Sequence, residues 1–96
     1  PNQPPVADAG PNRSVKAGTK VKLNGLKSHD AEGEALYYSW SQVRGSKIAL
    51  LDVDNAEPSF LAPTVSEKRT YRFKLRVTDK KGADSAPAFV DVTVEP

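Results

Sequence analysis

The strongest constraint on this chain is the stretch Leu36–Val43, which is centred on its only tryptophan, Trp40. Leu36, Tyr38 and Trp40 fall on one face at period two, and Tyr37, Ser39 and Ser41 fall on the other. Such alternation specifies a half-buried β-strand, because successive side chains of a strand point to opposite faces. A large aromatic at the middle of that strand suits the space between two packed sheets. Phe60 and the run Tyr71, Phe73, Leu75, Val77 supply matching apolar faces. The predicted core is therefore Leu36, Tyr38, Trp40, Phe60, Tyr71, Phe73, Leu75 and Val77.

The rest of the chain reads as short strands between turn signals. Residues 1–5 hold three prolines and form an extended linker, since proline fixes φ and lacks an amide donor. Val6–Ala9 is a short first strand, broken by Gly10-Pro11. Arg13–Lys16 then resumes pairing on the other sheet. Lys20–Asn24 turns Val21 and Leu23 inward. A polar loop over Gly25–Ala35 leads into the tryptophan strand. Ile48–Leu51 runs back after Gly45-Ser46, and Ser59–Leu61 is closed by Pro63. Tyr71–Thr78 is the longest clean alternation, with Arg72, Lys74, Arg76 and Thr78 outward. Ala88–Val94 ends the chain with Val90, Val92 and Val94 inward. Seven to nine short strands with regular turn signals predict an all-β sandwich of two antiparallel sheets.

Bulk properties bound the function. Ninety-six residues make a single domain, 1–96, with one small core. With no cysteine, neither a disulfide nor a thiolate metal site can stabilise it. A net charge of +2 with both signs interspersed does not point to nucleic acid. No apolar run approaches the ~20 residues of a membrane span. Ser28-His29-Asp30 places three triad residue types side by side. A triad needs a base oriented by one partner and aimed at another across space, so adjacent loop residues do not form one. His29 reads as a solvated loop histidine. No phosphate loop or HExxH-type metal site is present. The chain is expected not to be an enzyme.

Asn2-x-Pro4-Pro5-x-Ala7-x-Ala9-Gly10, Gly18-x-x-Val21-x-Leu23-x-Gly25, Ser28-x-Asp30-x-x-Gly33, Leu36-x-Tyr38-x-Trp40-x-Gln42, Phe60-x-Ala62-Pro63 and Tyr71-x-Phe73-x-Leu75-x-Val77-x-Asp79, followed by Gly82, form an ordered set. Together they resemble the polycystic kidney disease (PKD) domain over nearly the whole chain. The variant with Trp-x-Gln and Phe-x-Ala-Pro is similar to modules of bacterial and archaeal secreted hydrolases and surface-layer proteins. The resemblance implies that the sandwich is an immunoglobulin-like β-sandwich, and that the chain is a non-catalytic, extracellular or cell-surface module within a larger chain, acting as spacer and protein-interaction unit. Its partners would be neighbouring domains of the same chain, and in isolation it would be a monomer. The alternative it implies is a substrate-binding module for insoluble polysaccharide (chitin or cellulose) or collagen.

An immunoglobulin-like path sends one set of loops to one end. That end gathers Asp30, Glu32, Glu34, Asp52, Asp54, Glu57, Asp79 and Asp84 against Lys27, Lys80 and Lys81. The opposite end gathers Arg13, Lys16, Lys20, Arg44, Lys47, Lys68 and Arg69 against Glu67. The predicted module is an electrical dipole, suited to head-to-tail docking at short range. Two readings of the acids stay open. The resemblance implies a Ca²⁺ site at Asp30 and Asp79, completed by carbonyls of Asn2 or Gln3; Glu32 and Glu34 stand where the family pattern usually has Asp. The other reading is a hydrogen-bonded loop in which Ser28 and Asp30 accept from loop amides, as Asx and ST turns do.

Tyr37 and Phe89 are the outward aromatics. They are expected on the sheet face carrying Arg72, Lys74 and Arg76, which together make the candidate ligand-binding surface. A plain solvated sheet face is the competing reading.

Overall fold

The structure is a computed structural model that describes residues 4–30, 33 and 35–96. Six strands are present among the described residues: β1 (Arg13–Lys16), β2 (Lys20–Lys22), β3 (Tyr37–Arg44), β4 (Ser59–Leu61), β5 (Arg69–Thr78) and β6 (Ala88–Glu95). They form a four-stranded sheet of order β1-β6-β5-β3 and a two-stranded sheet of β2 and β4. The fold observed is the sandwich expected from the alternation, in the immunoglobulin-like form that the resemblance implies.

The apolar halves of the strands meet between the sheets. Tyr71, Phe73, Leu75 and Val77 of β5 and Val90, Val92 and Val94 of β6 are all buried. From the facing layer come Val21, Leu23, Phe60 and Ala62. The Phe60 and Phe73 rings join the layers with centroids 5.1 Å apart and planes tilted by 33°, an arrangement that avoids face-to-face quadrupole repulsion. Trp40 is 3% exposed; Leu36 and Tyr38 are only partly buried and pack against the edge of this core. The cause is position, since β3 is the sheet's edge strand and has a neighbour on one side only.

Trp40 is fixed by more than its ring. Its indole nitrogen donates to the Asn55 carbonyl at 3.0 Å, and its amide donates to the Val53 carbonyl at 2.9 Å. Gly25 lies against the ring. A Cβ there would stand 3.1 Å from Trp40 Cζ2 and 3.0 Å from Leu75 Cδ2, so close packing excludes a side chain.

Two expectations are corrected. The strands number six rather than seven to nine, because two predicted strands shrink to single bridges, Val6↔His29 and Leu51↔Ser59. Val6–Ala9 lies between two prolines before it and a Gly10 at φ 81° after it, so its pairing stops at once. At Ile48–Leu51 the Ile48 amide is taken by a side chain, Gln42 Oε1 at 2.8 Å, rather than by a strand. The larger sheet is also not wholly antiparallel, since β1 pairs β6 in parallel from Arg13↔Val92 to Lys16↔Glu95. The leading segment starts beside His29 and must reach the far end before turning into β2, which makes it run the same way as β6.

Trp40→Ala is expected to cost ~3–5 kcal/mol, the usual cost of truncating a buried large aromatic. Urea or thermal unfolding checks it; an unchanged midpoint would place the ring outside the load-carrying core.

Candidate functional site

The outer face of the four-stranded sheet brings together the residues singled out for binding. Cross-strand registers are Tyr37↔Thr78, Ser39↔Arg76 and Ser41↔Lys74 between β3 and β5, then Lys74↔Phe89 and Arg72↔Asp91 between β5 and β6. Tyr37 is 64% exposed and Phe89 50%. They sit on strands separated by β5, offset along it, with Lys74 and Arg76 between. This is the face expected from the alternation of Tyr71–Thr78.

Arg72 differs from the other two cations. Its Nε donates to Asp91 Oδ1 at 2.8 Å and its Nη2 to Oδ2 at 3.2 Å, a bidentate pair. Its guanidinium carbon also lies 6.0 Å from the Phe89 ring centroid, within cation–π range. Arg72 therefore anchors Phe89 and Asp91, while the face it shares is open at Lys74 and Arg76. The hydrogen bond from Arg72, with the charges of Arg72 and Arg44, holds the Asp91 carboxyl below its usual range against a partial desolvation. The same contact holds the Arg72 guanidinium more firmly protonated.

The acidic loops are organised locally. Asp79 is 1% exposed, and its Oδ1 accepts from the amides of Lys81 and Ala83, each at 2.9 Å. That is an Asx turn closing the loop after β5. Asp84 Oδ1 accepts from Thr78 Oγ1 at 2.7 Å. Asp30 is also buried, at 7% exposure, and its carbonyl accepts from the Gly33 amide at 3.0 Å. The loop it belongs to feeds β3 at Tyr37, opposite Thr78, so Asp30 and Asp79 belong to the same end of the sheet. Asn2, Gln3, Glu32 and Glu34 lie outside the described residues. Among the described residues, no group of three or more His, Cys, Asp or Glu is placed to hold a metal ion. Calcium takes six to eight oxygens, so the described donors do not by themselves complete a shell.

The expected dipole is only partly assembled. Lys16, Lys20, Arg44, Lys47, Lys68 and Arg69 gather at the end where β1 and β6 finish and β5 starts. Arg13 is set back from it, opposite Val92, and its Nη1 donates to the Lys22 carbonyl at 3.0 Å. The loop carrying Asp52, Asp54 and Glu57 does not reach the opposite tip. Val53 and Asn55 are bonded to Trp40, and the Ala56 carbonyl accepts from Gly25 at 2.8 Å. The loop is thus level with the core tryptophan.

Neither the tie from Ser28 to the leading segment nor the clamp made by Gln42 was expected from the sequence. Ser28 Oγ accepts from the Asp8 amide at 2.9 Å and so fastens the leading segment to the loop. His29, beside it, has its ring at the surface with Nδ1 3.2 Å from the Lys27 carbonyl. Gln42 makes three bonds. Its Nε2 donates to the carbonyls of Arg44 and Ser46 at 3.1 and 2.7 Å, and its Oε1 accepts from Ile48. The only signal for this clamp in the sequence is a glutamine two residues after Trp40, on the inward phase of the strand.

By architecture the chain is an immunoglobulin-like β-sandwich of PKD type. It belongs to the family described as the K319L-like PKD domain, which it matches over residues 9–94. It is 33% identical over 85 residues to the human dyslexia-associated protein KIAA0319, covering 88% of this chain and 8% of that protein. The mouse KIAA0319-like protein is 33% identical over 94 residues, covering 97% of this chain and 9% of that one. The chain thus spans less than a tenth of these relatives. Among solved structures, the PKD domain of the KIAA 1837 protein superposes with a TM-score of 0.76 at 26% identity, covering 93% of this chain and 84% of that one. The PKD1 domain of Vibrio anguillarum Epp superposes with a TM-score of 0.68 at 28% identity, covering 99% and 98%. Among the described residues, no helix is long and apolar enough to cross a membrane.

The Arg72–Asp91 pair makes a pH prediction. The folded value of Asp91 lies below its unfolded one, so the pair stabilises the fold at neutral pH. That contribution is lost as pH falls through the depressed value, while Arg72 stays charged throughout. Asp91→Asn is expected to lower the unfolding midpoint at neutral pH and to converge with the unsubstituted protein in strong acid. A gap that stays constant with pH would assign the stabilisation elsewhere.

Proposed function

We propose that this domain is a non-catalytic spacer and protein-interaction unit of a larger extracellular or cell-surface chain. The observation that carries the spacer role is the parallel β1–β6 ladder, Arg13↔Val92 to Lys16↔Glu95. The leading segment is bridged to His29 at one end of the sheet, and β6 finishes at the other. Tension between those two ends acts along the ladder and shears its hydrogen bonds together. Bonds loaded perpendicular to a strand break one after another and resist less. Membership of the PKD family supports the role. So does the use of Ser28 and His29 in separate local contacts rather than as a nucleophile and its base.

A second reading is favoured by the outer sheet face. Tyr37 and Phe89, with Lys74 and Arg76 between them, present aromatic surface and unengaged positive charge to solvent. Such a face suits an extended polymer, either insoluble polysaccharide or collagen. Calcium at Asp30 and Asp79 is a third element of the proposal, with Asn2 or Gln3 supplying carbonyls.

Single-molecule pulling separates the first two readings. The spacer role predicts a higher unfolding force when load is applied through the two chain ends than when it is applied across β2 and β4. Equal forces in the two directions would overturn it. Retention on chitin, cellulose or collagen that is abolished by Tyr37→Ala would instead support the second. A thermal melt that shifts upward with added calcium and back with EDTA is the expected result for the metal.

A further inference from the structure

The outer edge of β3, an edge strand, borders a cavity. In an antiparallel ladder alternate residues turn both backbone groups towards the partner strand. The Trp40 amide is bonded to Val53, on the side away from β5. By alternation, the amide and carbonyl of Gln42 also point away from β5. Among the described residues, no backbone bond closes this edge at Gln42. The flanking chain explains why. It touches β3 at Val53, swings across to pair Leu51 with Ser59 in the other sheet, and is tied back at Ile48 only through the Gln42 side chain. A β-bulge at Val43, between Gln42 and Arg44, widens the gap.

The result is a groove of about 830 Å³ lined by residues 41–45, the 47–50 segment and Val53. Its apolar lining includes Ile48, Leu50 and Val53, and its charged lining is Arg44 and Lys47, with no acidic residue among the described residues. Val43 and Val53 are 45% and 42% exposed, so apolar surface there meets solvent.

We infer that this groove accepts an extended acidic–apolar peptide segment of a partner protein by strand addition to β3. Main-chain bonds would form at the amide and carbonyl of Gln42. One set of alternate peptide side chains packs on Ile48, Leu50 and Val53; the other, carboxylate-bearing set faces Arg44 and Lys47. Strand addition combines main-chain bonding at an open edge with side-chain pockets of period two, and both are present here. The charge of the lining selects an acidic segment over a basic one. This deepens the interaction half of the proposed function and rests on it, while the spacer half stands apart.

The test uses a synthetic peptide alternating glutamate and valine, followed by fluorescence anisotropy and by amide chemical shifts of the domain. Binding is expected, with shifts confined to Ser41–Arg44 and Lys47–Leu50. Arg44→Glu combined with Lys47→Glu is expected to weaken it about tenfold or more. Both side chains are exposed, so the fold should survive, as the spectrum of the variant will show. Methylating the peptide amide that faces Gln42 should abolish binding, and methylating its neighbour should not. A lysine–valine peptide that binds equally well, shifts centred on Lys74 and Arg76, or no binding would each overturn the proposal. So would concentration-dependent pairing of two copies through β3. None of these outcomes alters the pulling experiment, so failure here is distinguishable from failure of the spacer role.

Discussion

Everything in this sandwich is arranged around the way Trp40 is held. A tryptophan buries more apolar surface than any other side chain but brings an N–H that must be satisfied in the dry interior. Here the loop after Val53 supplies the carbonyl, through Asn55, while the backbone of the same loop takes the Trp40 amide. Gly25 leaves room for the ring, since a Cβ there would stand 3.1 Å from Trp40 Cζ2. One side chain thereby fixes the separation of the sheets, the course of the 52–57 loop and the start of the 25–36 loop. The loop's carbonyls are committed to the core, which is why its acids sit level with the tryptophan.

What could be read in advance follows from what alternation encodes. Period two in Tyr71–Thr78 and Ala88–Val94 fixes which face is buried, because a one-residue slip would expose Phe73 and Leu75 and bury Arg72 and Lys74. The strands β4, β5 and β6 accordingly lie close to their predicted bounds. Parallel pairing of β1 was not legible, since four residues with half-buried pattern carry no direction. The seventh and later strands failed for a different reason. Val6–Ala9 and Ile48–Leu51 have strand-like composition, but beyond the single bridges at Val6 and Leu51 a side chain claims a backbone donor, Ser28 at Asp8 and Gln42 at Ile48, and composition does not record that competition.

The candidate surfaces show the same division. The outward cations were identifiable one by one, yet only coordinates separate Arg72 from Lys74 and Arg76. Arg72 is spent on Asp91 and Phe89. Likewise, adding up formal charges suggested an acidic pole, whereas Asp79 and Asp84 are satisfied by amides and a hydroxyl within two short turns. Charge in a loop signals long-range electrostatics only when it is not already consumed by local hydrogen bonding. The basic end meets that condition better, because lysine and arginine have no role in closing turns comparable to that of an aspartate.

Gln42 links these observations to the behaviour of the sheet edge. An unpaired edge strand is a template for self-association, and natural sheets protect such edges with charge, bulges or covering loops. At β3 all three devices appear: cover at Trp40 from Val53, a bulge after Gln42, and Arg44 with Lys47 beyond it. Two copies meeting edge to edge here would bring like charges together, which costs free energy that a chain of opposite charge does not pay. A device that disfavours the wrong pairing therefore also defines the chemistry of the right one, and the glutamine that holds the 44–48 turn in place keeps that edge open.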